Sequence, residues 1–157
     1  MLDPKQNPAA LTKAAEDQEE APAKKRKRPV SANAMSAAYC RERGWLVATV
    51  EQRVPHTFIT RDMFGFIDLV VLDGRRGLLG VQATTGSNVG SRIDKINDPS
   101  PDGVRSTALA WLRSGLRLEV WGWRKTNERT PGKKKTWALR RIKAELVDGD
   151  LRWDDVE

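Results

Sequence analysis

Asp68 stands inside an otherwise apolar run, FGFIDLVVL (64–72). A carboxylate is costly to bury there unless it has a partner or binds a cation. Beyond the Asp73-Gly74-Arg75-Arg76 turn, Gln82 and Thr84 lie two residues apart in GLLGVQATT (77–85). On a strand both project from one face. An acid on one strand beside two oxygen-bearing side chains on its neighbour suits a hard cation such as Mg²⁺ or Mn²⁺. The plainer reading is a carboxylate satisfied at a strand end and a glutamine paired with backbone.

The elements that must position these residues are legible in outline. Ser31 is a helix N-cap, with the helix running to Arg43 and closed by Gly44. Its inward stripe is expected to be Met35, Ala38 and Tyr39. The alternating, β-branched segment 45–54 predicts a strand, followed by a connecting loop, PHTFITRDM. Segments 64–72 and 77–85 form a hairpin. SRIDKI begins a helix after the Gly-rich GSNVG, and 106–115 is a second helix ending at Gly115. Strands at 116–123 and 136–146 follow, joined through a Pro-Gly turn. A sheet with helices packed on it is an α/β (α+β) domain. No internal repeat is visible.

The order of elements, with the FGFID and GVQAT strands, resembles the PD-(D/E)XK nuclease superfamily. Within it the likeness is to small phage-associated and Holliday-junction-resolvase-like proteins, over roughly 31–125 of this chain. The resemblance implies a restriction-endonuclease-like α-β-β-β-α-β core with a mixed central sheet and an extra C-terminal strand. Ile67-Asp68 would stand for the family's Pro-Asp, and Gln82-Ala83-Thr84 for its Glu-x-Lys. Two positions depart from the pattern: Gln82 replaces a charged ligand, and Thr84 replaces the lysine. Some members carry that lysine on the next helix, where this chain has Lys95, with Arg92 at i−3 on the same face. The missing carboxylate would come from Glu51, Asp62 or Glu42. The implied chemistry is metal-assisted phosphodiester hydrolysis, with Asp68, Gln82 and Glu51 holding Mg²⁺ or Mn²⁺. Lys95 would stabilise the transition state and Thr84 would orient the attacking water. The alternative is a non-catalytic nucleic-acid-binding module on the same fold, its site eroded at Gln82 and Thr84. A third is a phage structural protein whose charge serves general DNA association.

The charge balance fits a DNA partner. Among 157 residues, 28 Lys and Arg against 21 Asp and Glu give +7. Residues 124–143 hold nine Lys or Arg against Glu128 alone, interleaved with Trp137 and preceded by Trp121 and Trp123. Arg124, Lys125, Lys133, Lys134 and Lys135 there, with Arg92, are the expected phosphate contacts, with a tryptophan free to stack. Trp121 and Trp123 share a face and are expected mainly to pack or line a groove edge. Residues 1–30, nearly free of large apolar side chains, are expected as a disordered basic tail carrying the Lys24–Arg28 run. Residues 147–157 are expected as an acidic tail, frayed or folded back on basic surface, after a domain at 31–146.

Other classes are excluded by what is missing. No apolar run reaches the roughly 18 residues of a membrane span, and the N-terminus has no apolar signal region. A single cysteine, Cys40, excludes an internal disulfide and reads as a core residue. The one histidine, His56, lies in a loop and could serve as a base or substrate contact. TTGSNVGS is a weak phosphate-cradle signal. The expected setting is the cytoplasm of a bacterial or phage-infected cell, near the nucleoid. Cutting a two-fold junction would favour a homodimer.

Overall fold

Ser31 starts the first helix: its Oγ accepts the Ala34 N–H at 3.2 Å, satisfying one orphan donor of the first turn. α1 (Ala32–Glu42) ends at Arg43, and Gly44 follows at φ +72°, a left-handed residue that glycine supplies without a Cβ clash. The computed structural model describes residues 29–156 except 58, 129–131 and 133. The Lys24–Arg28 run and Lys133 therefore lie outside the described residues. The buried stripe of α1 is Ser36, Ala37 and Cys40, one step round from the expected line. These small side chains let the helix settle closely on the sheet. Tyr39 leans edge-on against Trp45, Trp121 and Trp123, with centroids 5.4–6.1 Å apart.

The segment expected as one strand at 45–54 is two pieces. β1 (Leu46–Thr49) joins the main sheet, whereas β2 (Gln52–Arg53) pairs only with β3 (Thr60–Arg61). The chain leaves the sheet at Val50, whose N–H still donates to the Asp68 carbonyl at 2.9 Å. The next strand also starts later than its apolar run suggests, because Phe64 and Gly65 sit at φ +55° and +80°. They fold 63–67 into a tight turn closed by a Met63–Ile67 bridge. β4 is thus Leu69–Leu72, with β5 at Leu79–Thr85. A 3₁₀ turn then leads into α2 (Val89–Asn97) and α3 (Arg105–Arg113), followed by β6 (Arg117–Thr126), β7 (Thr136–Val147) and β8 (Asp150–Asp155).

The segment expected as an acidic tail instead contributes β8. Asp148 and Gly149, at φ +51° and +86°, make a two-residue turn of the kind that matches strand twist. Behind it Trp153 packs inward and donates its Nε1–H to Asn97 Oδ1 at 3.0 Å. Two strands, not one, therefore extend the sheet beyond β6.

The six-stranded sheet has the order β1-β4-β5-β6-β7-β8. β5 and β6 are parallel, and every other neighbouring pair is antiparallel. One face packs Leu69, Val71, Leu79, Val81, Ala83 and Trp121 against Cys40 of α1. The opposite face packs Ile67, Leu118, Val120, Ile142 and Ala144 against Val89, Ile96, Ala108 and Trp111 of α2 and α3. The result is an α+β domain of three helices on a mixed sheet. At Gly122 the second helix layer comes closest: an added Cβ would lie 2.4 Å from Val89 Cγ2. Arg117 binds Asp73 through two nitrogens at 2.8 and 2.5 Å. This ties the β4–β5 turn to the start of β6 and holds the Asp73 carboxyl below its usual range. No helix among the described residues is long and apolar enough to cross a membrane.

Candidate metal centre

Because β5 alternates, Leu79, Val81 and Ala83 turn toward α1, and Gln82 and Thr84 turn the other way. Asp68, just before β4, keeps the ladder by donating its N–H to the Val81 carbonyl at 2.9 Å. Its side chain is 3% exposed, and Oδ2 accepts from Gln82 Nε2 at 2.5 Å and from the Ala83 N–H at 2.8 Å.

Two more carboxylates reach Asp68 by way of the β2–β3 hairpin. Gln52 pairs with Arg61, so the residues flanking those two strands, Glu51 and Asp62, emerge side by side. Oxygens of Glu51, Asp62 and Asp68 lie within 4.8 Å of one another. The cluster is held from both helix layers. Asn33 of α1 donates Nδ2–H to Glu51 Oε1, and Lys95 of α2 sets its Nζ 3.6 Å from Asp62 Oδ2. Asp68 is pushed up to about 7, chiefly by burial, with the charges of Asp62 and Glu51 adding to the shift and the Ala83 N–H opposing it. Gln82, 2% exposed, has its Oε1 buried without a hydrogen-bond partner among the described residues. Turning the amide over would set that oxygen against the Asp68 carboxylate. The three carboxylates form a donor set that fits a hard divalent cation such as Mg²⁺ or Mn²⁺, with an unsatisfied amide oxygen on the residue bonded to Asp68.

Of the expected site residues, Asp68, Gln82, Glu51 and Lys95 converge here, and Asp62, weighed equally with Glu42, joins them. Thr84 is buried one step along the same strand face. Glu42 does not converge; it lines a groove on the α1 side with Tyr39, Arg43 and Trp137. His56 is exposed at the hairpin tip. Arg92 is half-buried on α2 without an ion pair among the described residues. Cys40 is fully buried and its thiol is pushed up to about 11 by that burial, so it is no nucleophile.

The basic stretch is less free than its composition suggests. Arg140 binds Asp155 of β8 at 2.7 and 3.0 Å, and Arg124 pairs with Glu128 at 2.9 Å. Arg141 grips the buried Glu119 through two bonds of 2.8 Å. Glu119, an acid inside LRLEVW, gives the same sequence signal as Asp68 and was missed; its pairing marks it as structural. Trp121 Nε1 donates to Glu119 Oε2 at 2.6 Å and Trp123 Nε1 to Ser36 Oγ at 2.9 Å. Both rings are core and unavailable to a base. Trp137, at 46% exposure, is open, with Lys125 Nζ 5.2 Å from its ring centroid. Lys134 and Lys135 are exposed just before it. No protein-family profile, no curated protein and no solved structure matches the chain.

Proposed function

We propose that the protein is a metal-dependent DNA endonuclease hydrolysing phosphodiester bonds, with Asp68, Glu51 and Asp62 as the charged ligands of Mg²⁺ or Mn²⁺. The observation that carries this reading is the convergence of three carboxylates from separate segments within 4.8 Å, with a lysine ammonium 3.6 Å from one of them. The element order supports it. α1, β1, β4, β5, then helices, then β6 parallel to β5, follows the α-β-β-β-α-β order that the resemblance to the PD-(D/E)XK superfamily implies, with the β2–β3 hairpin added.

In this reading Glu51 and Asp62 supply the charge that Gln82 lacks at the motif position. Lys95 supplies the cation that Thr84 lacks, and its ammonium stabilises charge building on the phosphoryl oxygens. Burial makes Asp68 hold its proton more tightly than an ordinary carboxylate, so metal occupancy would rise as it ionises. The bound cation would polarise the phosphoryl group and lower the pKa of a coordinated water.

A second reading is favoured by one contact. Gln82 Nε2 donates to Asp68 Oδ2, which takes up one of the two carboxylate oxygens that a cation would share. A protein that keeps that bond would be a nucleic-acid-binding module without catalysis. The test is cleavage of labelled linear, flap and four-way-junction DNA with Mg²⁺, Mn²⁺ or EDTA, wild type beside Asp68→Ala. Metal-dependent cutting that disappears in the variant supports the nuclease. Binding of any of these DNAs without cutting in either metal overturns it and leaves the binding module.

A further inference from the structure

We propose that the sheet end bearing the carboxylate cluster also carries a stacking site for single-stranded nucleic acid, with Trp137 as platform and Lys125, Lys134 and Lys135 as its phosphate contacts. The inference rests on the nucleic-acid reading of the protein but not on catalysis.

The placement follows from strand direction. β5 and β6 run parallel and β4 and β7 run against them. The start of β4, the ends of β5 and β6 and the start of β7 therefore share one end of the sheet. Asp68 immediately precedes β4, and Trp137 stands at the start of β7, directly across from Lys125 of β6. β4 and β7 are three strand spacings, about 14 Å, apart, and Trp137 stands five residues, roughly 17 Å, further along the strands than the level shared by Asp68 and Gln82. The stacking site is thus an outer extension of the same sheet end, on the α1 side.

The chemistry of the patch points the same way. Of the three tryptophans considered in the basic stretch, Trp121 and Trp123 are buried and hydrogen-bonded, and only Trp137 shows its face. Leu139, Tyr39 and Arg43 continue a groove from it along the α1 side, where Arg43 lies 3.5 Å over the Tyr39 ring. Lys125, Lys134 and Lys135 are exposed and have no carboxylate partner among the described residues, whereas Arg140 and Arg141 on the same strand are neutralised by Asp155 and Glu119. An exposed aromatic face with lysines beside it that lack a carboxylate partner suits extended single strands, because every base has a π-face and every nucleotide a phosphate. A duplex keeps its bases stacked on one another and offers the ring nothing. An arriving base would take the place of the Lys125 ammonium over Trp137 and leave that ammonium to a phosphate.

The test measures binding in EDTA, so that no cleavage intervenes. The probes are a labelled 12-nucleotide oligothymidylate, a 12-base-pair duplex and heparin, a polyanion without bases. Trp137→Ala should weaken oligothymidylate binding about tenfold, the scale of one lost base–aromatic stack, and leave duplex and heparin unchanged. Trp137→Phe should stay close to wild type. Replacing Lys134 and Lys135 by Ala should flatten the dependence of log K on log salt by roughly 0.7 per lost contact. In the wild type, oligothymidylate should quench tryptophan emission that heparin leaves intact. The proposal is overturned if Trp137→Ala binds oligothymidylate as the wild type does, if it loses heparin in equal proportion, or if wild-type emission is not quenched. Binding through Trp137 by a protein that never cuts DNA refutes only the nuclease.

Discussion

Asp68→Asn should make the metal-free protein more stable at pH 8. The Asp68 carboxyl is pushed up to about 7 from an ordinary 3.8, mainly by burial. The folded state therefore holds its proton more tightly than the unfolded chain does, and between about pH 4 and pH 7 it binds more protons. Stability must fall as pH rises through that window. Three pKa units at about 1.4 kcal/mol each give a loss on the order of 4 kcal/mol, complete just above pH 7. Asparagine has no charge to bury. Its one oxygen can accept both the Gln82 Nε2–H and the Ala83 N–H that now converge on Oδ2, and its amide nitrogen would face Glu51 and Asp62. The assay is urea unfolding in EDTA at pH 4 and pH 8, followed by circular dichroism. The variant should match the wild type at pH 4 and exceed it by about 4 kcal/mol at pH 8. Mn²⁺ should close the gap at pH 8 by stabilising only the wild type. Parallel pH profiles, or a variant weaker at pH 8, would refute the claim that Asp68 is a charge buried at a cost.

Two further substitutions separate the site from its scaffold. Gln82→Glu removes the donor to Asp68 and adds a fourth charge; it should lower the metal-free Tm at pH 8 and tighten Mn²⁺ binding roughly tenfold by titration calorimetry, and unchanged affinity would put residue 82 outside the ligand set. Gly122→Ala drives a methyl into Val89 Cγ2, 2.4 Å away. It should cost about 1–3 kcal/mol and raise amide exchange across α2 while leaving β7 and β8 protected.

The legible parts of the fold were those encoded locally. Ser31 and Gly44 bracket α1, and the run through 79–85 reads as a strand because it is apolar, short and flanked by turns. The errors came where one residue has two local meanings. Phe64-Gly65 extends an apolar alternation, but glycine also permits the left-handed turn that the chain takes. Leu151 and Trp153 alternate inward under a cover of aspartates, after a turn at Asp148-Gly149, so a segment whose net charge reads as a tail is a strand. Asp68, Gln82 and Thr84 could be named from spacing, and Lys95 only from what the family resemblance implies. The pairing of Glu51 with Asp62 could not, since it depends on a hairpin whose strands are two residues each and on Asn33 and Lys95 arriving from separate helices. Glu42 is the same residue type as Glu51, and only the direction of α1, which carries it to a groove with Tyr39 and Trp137, separates the two.

That hairpin acts as a ruler for the cluster. Glu51 and Asp62 are neighbours only because Gln52 is opposite Arg61 and Arg53 opposite Thr60, and a strand's side chains change face at every residue. One residue inserted between Arg61 and Asp62 would carry the aspartate round to the other side and leave Asp68 with a single acidic companion. A change of length beyond Arg53 and before Thr60 would leave the two ends in step. Sequence drift should therefore concentrate in the tip of this hairpin, while the spacing at its base stays fixed for as long as the three carboxylates work together.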